Sequence, residues 1–300
     1  MISVSQVSKE FDGEEAVQDL TLTVKKGSIY GLLGSNGAGK TTLLKILAGI
    51  YRQDSGYVTI DERKVYENPD IQQRSLFLPD SLYFFPQATI RQMANFYAST
   101  YERWNEERFQ QLAHVFPIDM KRRVQRLSKG MQRQVAFWLA MSTMPDVLLL
   151  DEPIDGLDAV MRQKVKNLIV QDVADREMTV LISSHNLREV EDLCDHIGIM
   201  HHGKLLLERD LDDLKSDIHK VQVVLKEGEE DAFLEGLDLL YKERRGSILL
   251  CIARGEESVV VRHIRSFRPV VFDMLPLTLE EIFVYELGGH GYAVETLMDA

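Results

Sequence analysis

The run Gly34-Ser35-Asn36-Gly37-Ala38-Gly39-Lys40-Thr41-Thr42 has the spacing G-x-x-x-x-G-K-[S/T]. It lies between an apolar stretch at 29–33 and a helix-like one at 43–47. A strand that turns into a helix through three glycines aims several backbone N–H groups into one hollow, where the positive end of the helix also favours an anion. Polyphosphate is the natural occupant. Lys40 then acts as a point charge on the β- and γ-phosphates, and the Thr41 hydroxyl completes the shell of a Mg²⁺ ion. A metal site also needs carboxylates, and Asp151-Glu152 supplies two. Asp151 follows Val147-Leu148-Leu149-Leu150, a strand-like run whose carboxyl end is where open α/β sheets bind ligands. Asp151 suits a metal held through water, and Glu152 can orient or deprotonate an attacking water. Adjacent carboxylates behind a buried strand are costly without a cation or hydrogen bonds, which favours a functional pair over an incidental surface one.

The elements that must position these groups follow from hydrophobic patterning. Short β-like runs at 4–7, 20–24, 57–60 and 75–78 surround the glycine-rich segment. From about Pro86 to Met144 the period becomes helical, with Ile90, Met93, Ala94 and Tyr97 at i, i+3, i+4, i+7 and with Val135, Leu139 and Ser142 on one face. Unbroken apolar runs return at 147–150 and 180–183, as in parallel strands covered on both sides, with a crossover helix expected over 161–175. A hairpin is expected from 197–200 and 205–207 around His201-His202-Gly203, and the two histidines are read as an exposed turn. Beyond about Ser216 the pattern resets: a strand at 221–224, a helix at 231–240, a strand at 248–252, and a capping-box spacing at Thr278-Leu279-Glu280-Glu281 before Ile282-Phe283. No repeat of 20–50 residues and no low-complexity tract interrupts the chain. Trp138 is read as packing, and Trp104 lies in a charged stretch without a stacking array.

Composition bounds the function classes. Three hundred residues with 45% hydrophobic content allow one large or two modest domains of a globular protein. No window resembles a membrane span, and Met1-Ile2-Ser3-Val4-Ser5 carries no signal-peptide pattern, so a cytosolic chain is expected. A formal net charge of −12 and a pI near 5.2 oppose a nucleic-acid partner, whose binding needs clustered Lys and Arg. Cys194 and Cys251 are far apart and apolar in context, hence expected as reduced core thiols.

Leu127-Ser128-Lys129-Gly130-Met131 precedes the 147–150 strand, and Ser128 is a good helix N-cap in its own right. Taken in order with the preceding motifs, these residues resemble the ATP-binding-cassette (ABC) family, whose signature reads L-S-G-G-Q just upstream of the Walker-B strand. Leu127, Ser128 and Gly130 match, while Lys129 replaces a glycine and Met131 a glutamine. Ile154-Asp155-Gly156-Leu157-Asp158 is similar to the D-loop, His185 to the switch histidine, and Phe11 stands where the family stacks an aromatic on adenine. Asp80, in Phe77-Leu78-Pro79-Asp80, stands where the family has a glutamine linking Mg²⁺ to the transmembrane partner. Aspartate can still reach the metal or its water, with a shorter arm and an added negative charge.

The resemblance covers roughly residues 1–216. It implies an α/β P-loop NTPase with an antiparallel β subdomain and an inserted helical subdomain (about 86–144) in a nucleotide-binding domain at 1–215. A small α/β accessory domain at 216–300 resembles, weakly, an extension found on some bacterial exporter ATPases. ATP and Mg²⁺ are the implied ligands. Glu152 and His185 are the implied catalytic pair; Phe11, Gly34 to Thr42, Ser128, Lys129, Gly130 and Asp158 are implied to bind nucleotide; Thr41, Asp80 and Asp151 are implied to serve the metal. In this family two cassettes face head to tail, each ATP lying between one phosphate loop and the opposite signature. The implied partners are integral membrane permease subunits and a second cassette, as homodimer or heterodimer, on the inner face of the cytoplasmic membrane, with export favoured. The alternatives are an ABC-type ATPase that regulates a partner without transport, and one acting on nucleic acid or the ribosome, which the acidic balance disfavours.

Overall fold

A computed structural model of the chain describes residues 1–226 and 228–288. They divide into two units, Met1–Glu208 and the residues from Arg209 on. The first unit begins with two long antiparallel strands, β1 (Ile2–Phe11) and β2 (Glu14–Val24). Strand β3 (Ile29–Leu33) runs through the glycine-rich loop into helix α1 (Lys40–Leu47). Strands β4 (Ser55–Ile60) and β5 (Arg63–Lys64) then join the first two in an antiparallel sheet of order β2-β1-β4-β5.

Helix α2 (Pro69–Arg74) leads into β6 (Ser75–Leu78), and α3 (Ile90–Thr100), α4 (Glu106–Leu112) and α5 (Lys129–Ser142) follow. These are the helices announced by the spacing of Ile90, Met93 and Ala94, all three of which are buried. Their starts are capped by side chains: a reciprocal Thr89–Gln92 box on α3, Asn105 on α4 and Ser128 on α5. Trp138 on α5 is fully buried, stacks on Phe109 with centroids 4.8 Å apart, and donates its indole N–H to the Phe109 carbonyl at 2.7 Å. Its role is packing.

Strand β7 (Val147–Asp151), helix α6 (Ala159–Arg176), strand β8 (Thr179–Ser184), helix α7 (Leu187–Glu191), and strands β9 (His196–His201) and β10 (Lys204–Asp210) complete a six-stranded sheet of order β10-β9-β3-β8-β7-β6. From β9 to β6 the neighbours are parallel. Strands β3, β7 and β8 are buried at every residue, which is why each carries an apolar run, with polar residues at the ends of β7 and β8. Between β9 and β10, His202 and Gly203 both take positive φ (45° and 76°), the pair of left-handed residues that a two-residue hairpin turn requires. Helix α1 is locked by Leu43, Leu44, Ile46 and Leu47, each at most 1% exposed within one apolar cluster that also contains Leu32, Leu149 and Leu181. The helix that presents Lys40 is therefore rigid relative to the strand that ends in Asp151.

The second unit consists of α8 (Leu211–Asp217), β11 (Ile218–Val224), α9 (Glu230–Glu235), β12 (Asp238–Arg245), β13 (Ile248–Arg254), α10 (Glu257–Ser266), β14 (Val271–Leu275) and α11 (Leu279–Gly288). The sheet order β12-β13-β11-β14, antiparallel throughout, together with the β-α-β-β-α-β chain order from β11 to β14, is ferredoxin-like topology. Val221, Val223, Phe233, Leu249, Cys251, Val260 and Ile264 form its core. The helix expected over 231–240 stops at Glu235, because Gly236 packs so tightly that a Cβ there would lie 2.0 Å from the His263 ring. Leu239 and Leu240 belong instead to edge strand β12, whose charged residues obscure its two-residue period. The Thr278–Glu281 box is formed, with both backbone N–H groups bonded. Phe283 lies on α11, but its side chain is outside the described residues.

Candidate functional site

The parallel strands deliver their carboxyl ends to one edge, and the candidate residues cluster there. A cleft of ≈ 270 Å³ is lined by Ala16, residues 35–42, Asp80, Asp151 and Glu152. Its floor is the glycine-rich loop. Gly39 has φ 102° and approaches the first sheet so closely that a Cβ would sit 2.2 Å from the Ala16 carbonyl, so only glycine fits. Lys40, 6% exposed, donates from Nζ to the carbonyls of Gly34 and, at 3.1 Å, Ser35. The same ammonium lies 3.5 Å from Glu152 Oε1.

Asp151 and Ser183 are register partners on β7 and β8. The pairing lets the Ser183 hydroxyl donate to Asp151 Oδ1 at 2.7 Å and accept from the Glu152 N–H at 3.1 Å. The Thr41 hydroxyl donates to the Asp151 carboxylate at 2.8 Å and 3.1 Å. A hydroxyl and a carboxylate held together beside a phosphate loop form a hard oxygen donor set, which fits Mg²⁺.

Glu152 stands between Lys40 and His185. Besides Lys40 at Oε1, its Oε2 meets His185 Nδ1 at 3.0 Å. Burial raises its pKa above the ordinary carboxylate value; Lys40 and His185 pull it down, and Asp155 adds to the rise. Ligand atoms of Glu152, Asp155 and His185 all lie within 4.8 Å of one another. A carboxylate so placed, its pKa raised by burial and mostly shielded from water, is fit to take a proton.

A second cleft, of ≈ 430 Å³, is lined by Asp80, Ser81, Leu82, Lys129, Gln132, Arg133, Asp155 and Gly156. Here the start of α5 meets the D-loop. Gly130 packs against Gly156 so that a Cβ would fall 2.6 Å from the Gly156 carbonyl oxygen. Ser128 caps α5 by accepting from the Met131 N–H at 3.3 Å, Lys129 is exposed, and Asp158 caps α6 by accepting from Met161 at 2.9 Å. The residues lining the first cleft do not include Ser128, Lys129, Gly130 or Asp158. Nor do they include Phe11, which ends β1 40% exposed, with Lys9 Nζ 5.1 Å from its ring and Tyr51 edge-on at 5.3 Å. Asp80 lines both clefts, but one oxygen of its carboxylate accepts from Arg133 at 2.8 Å.

Arg133 and Ser183 are functional candidates that sequence reasoning missed. Ser183 carried a usable signal, since it lies next to the last residue of a parallel strand beside the one that ends in Asp151. Arg133 carried none. An exposed aromatic surface was also missed: Tyr83 (75% exposed), Phe85 (41%) and Phe96 (43%), with Phe85 4.8 Å from Phe96 and 6.4 Å from Tyr83.

The family model described as ABC transporter matches residues 17–155. Over 297 residues the chain is 32% identical to the ABC transporter ATP-binding protein YtrB of Bacillus subtilis, covering 96% of this chain and 99% of that protein. The chain belongs to the ABC transporter ATP-binding family. The bacitracin transport ATP-binding protein BcrA of Bacillus licheniformis is 33% identical over 218 residues, which is 72% of this cassette chain and 71% of BcrA. Among solved structures, an ATP-binding subunit of an ABC transporter matches with a TM-score of 0.68 at 25% identity, over 72% of this chain and 92% of that one. The chain is thus an ABC-type ATPase and an ABC transporter ATP-binding subunit. Among the described residues, no helix is long and apolar enough to cross a membrane.

Proposed function

We propose that this ATPase hydrolyses Mg-ATP at the Lys40 cleft and uses the cycle to drive export through separately encoded integral membrane permease subunits. The observation that carries the reading is Glu152, with Lys40 3.5 Å from one oxygen and His185 3.0 Å from the other, one residue beyond the Thr41–Asp151 pair. The phosphate loop N–H groups and Lys40 bind the triphosphate. Thr41 and Asp151 would hold Mg²⁺, which when bound neutralises charge on the phosphate oxygens. Glu152 receives the proton of the attacking water, while His185 fixes the orientation of its carboxylate. Asp80 borders the cleft but engages Arg133, so the metal role falls to the other two residues.

The signature residues lie outside the Lys40 cleft, and α5 offers the N–H groups of a helix start at the second cleft. Two copies placed head to tail bring each helix start to the other copy's γ-phosphate, and one chain supplies both halves. Phe11 is the adenine contact in this arrangement, and Asp158 lies on the D-loop side of the shared boundary. The exposed rings of Tyr83, Phe85 and Phe96 supply the apolar surface that a permease contact needs. This reading puts the ATPase on the inner face of the cytoplasmic membrane. Export is supported by the likeness to BcrA, named for bacitracin transport, and the unit from Arg209 on is an accessory domain of the cassette.

The test is Glu152→Gln. Turnover should fall by about 10²–10⁴-fold, the usual range for a lost general base, while Mg-ATP converts the variant from monomer to a long-lived dimer in sedimentation. Hydrolysis at the wild-type rate would reject Glu152 as the base.

A further inference from the structure

Arg133 is the fifth residue of α5, outside every motif named above, and its side chain is 11% exposed. A guanidinium largely withdrawn from water needs acceptors for its fork of N–H donors. Arg133 finds them on two different segments. Nη2 donates to the Asp80 backbone carbonyl at 2.9 Å and to Asp80 Oδ1 at 2.8 Å, and Nη1 donates to the backbone carbonyl of Glu152.

The second contact matters because Glu152 has φ 45°, the left-handed region that a non-glycine residue seldom adopts and that surroundings must enforce. Its N–H is fixed by Ser183 Oγ at 3.1 Å, so Ser183 and Arg133 hold Glu152 at both ends of its backbone. Among the described residues, the hydrogen bonds of the Arg133 side chain go to Asp80 and Glu152 and not to the phosphate loop or His185. Asp80 in turn supplies the charge that keeps the guanidinium in place.

We propose that Arg133 is a positioning residue for ATP hydrolysis: it holds the backbone of Glu152 in the conformation that aims its carboxylate, and Asp80 is the anchor of Arg133 and no metal ligand. The proposal rests on the reading of Glu152 as the base. A lysine cannot replace the fork, since one ammonium on a flexible stem does not span both carbonyls in fixed geometry. Because Arg133 acts through Glu152, its loss misplaces the base and leaves the nucleotide contacts of Lys40 intact.

The experiment is steady-state Mg-ATP hydrolysis by the full-length chain with Arg133→Gln, Arg133→Lys, Asp80→Ala and the double variant Asp80→Ala/Arg133→Gln, with Mg-ATP binding measured separately to verify folding. Arg133→Gln should lower kcat by about 10- to 100-fold, the scale of a misplaced catalytic group, with KM within about 3-fold. Arg133→Lys should recover a minor part of the loss. Asp80→Ala should cost less than Arg133→Gln, the double variant should be no worse than Arg133→Gln alone, and the Mg²⁺ half-saturation should stay unchanged in all four. Wild-type kcat in Arg133→Gln, a raised KM with unchanged kcat, or a raised Mg²⁺ requirement in Asp80→Ala would each overturn the proposal. If Glu152→Gln is inactive while Arg133→Gln is fully active, this inference alone fails; if Glu152→Gln is active, the reading beneath it fails.

Discussion

The two units treat buried polarity in opposite ways. In Met1–Glu208 the carboxyl edge of the parallel sheet buries Lys40, Asp151, Ser183 and Ser184 within one small region. From Arg209 on, His219 is the one buried polar side chain among the described residues, and its Nε2 meets the Gly255 carbonyl at 2.9 Å. Burying charges and hydroxyls costs free energy unless partners satisfy them. The first unit carries part of that cost where its strands converge on a phosphate loop and the rest elsewhere, as at Lys166 and Asp172 on α6. The second carries almost none, and its apolar core follows the simplest packing logic. The difference teaches where a reading of function must be tested: the proposed site lies on a polar edge of the first unit, and the second unit has an almost wholly apolar core.

Substitutions can break this contrast. The largest effect belongs to Glu152→Gln, which should remove turnover while leaving the melting temperature near that of the parent, as expected of a residue selected for chemistry. Phe233→Ala should do the reverse. Phe233 is fully buried in the second core, so its truncation should cost about 3–5 kcal/mol of that unit's stability, read as a separate early melting transition with Mg-ATP affinity retained. Lys40→Ala should weaken Mg-ATP binding by about 1.5–3 kcal/mol, the range for a charge-assisted hydrogen bond, as titration calorimetry would show. Gly130→Ala forces a Cβ toward the Gly156 carbonyl and should cost about 1–3 kcal/mol by overpacking, seen as a modest drop in melting temperature.

The smallest effect is also the sharpest reporter of the two units, since each holds one buried thiol, Cys194 and Cys251. Burial pushes the Cys251 thiol up to about 11 and raises Cys194 further, so both stay protonated and unreactive near neutral pH. Alkylation should be slow at both in the native chain. Phe233→Ala should accelerate labelling of Cys251 and leave Cys194 protected, as peptide mass spectrometry would resolve.

The sequence was legible where local rules act alone. The phosphate loop, the strand ending in Asp151 and the cap at Ser128 each need specific residue types at fixed spacing, so pattern and structure coincide. The helices at 90–142 were visible because one face of α3 is buried. The first three residues of strand β12, 238–240, were read as the end of a helix and the rest of the strand was not seen, because as an edge strand it carries charged residues on exposed positions, and Gly236 ends the helix through a tertiary contact with His263 that no local pattern encodes. Arg133 was illegible for a related reason. Its partners Asp80 and Glu152 are 53 and 19 residues away, so its role exists only once α5 has packed against both segments.

The central claim is that a phosphate loop from one copy and a signature helix from another complete one hydrolytic site. It is tested most directly by mixing two inactive variants of the full-length chain, Lys40→Ala and Ser128→Arg, and measuring Mg-ATP turnover against mixing ratio. Head-to-tail sharing predicts that each alone is inactive and that mixtures regain activity, with a maximum near equal amounts, because a mixed dimer keeps one intact pair of Lys40 and Ser128. Turnover no higher in any mixture than in the separate variants would contradict it.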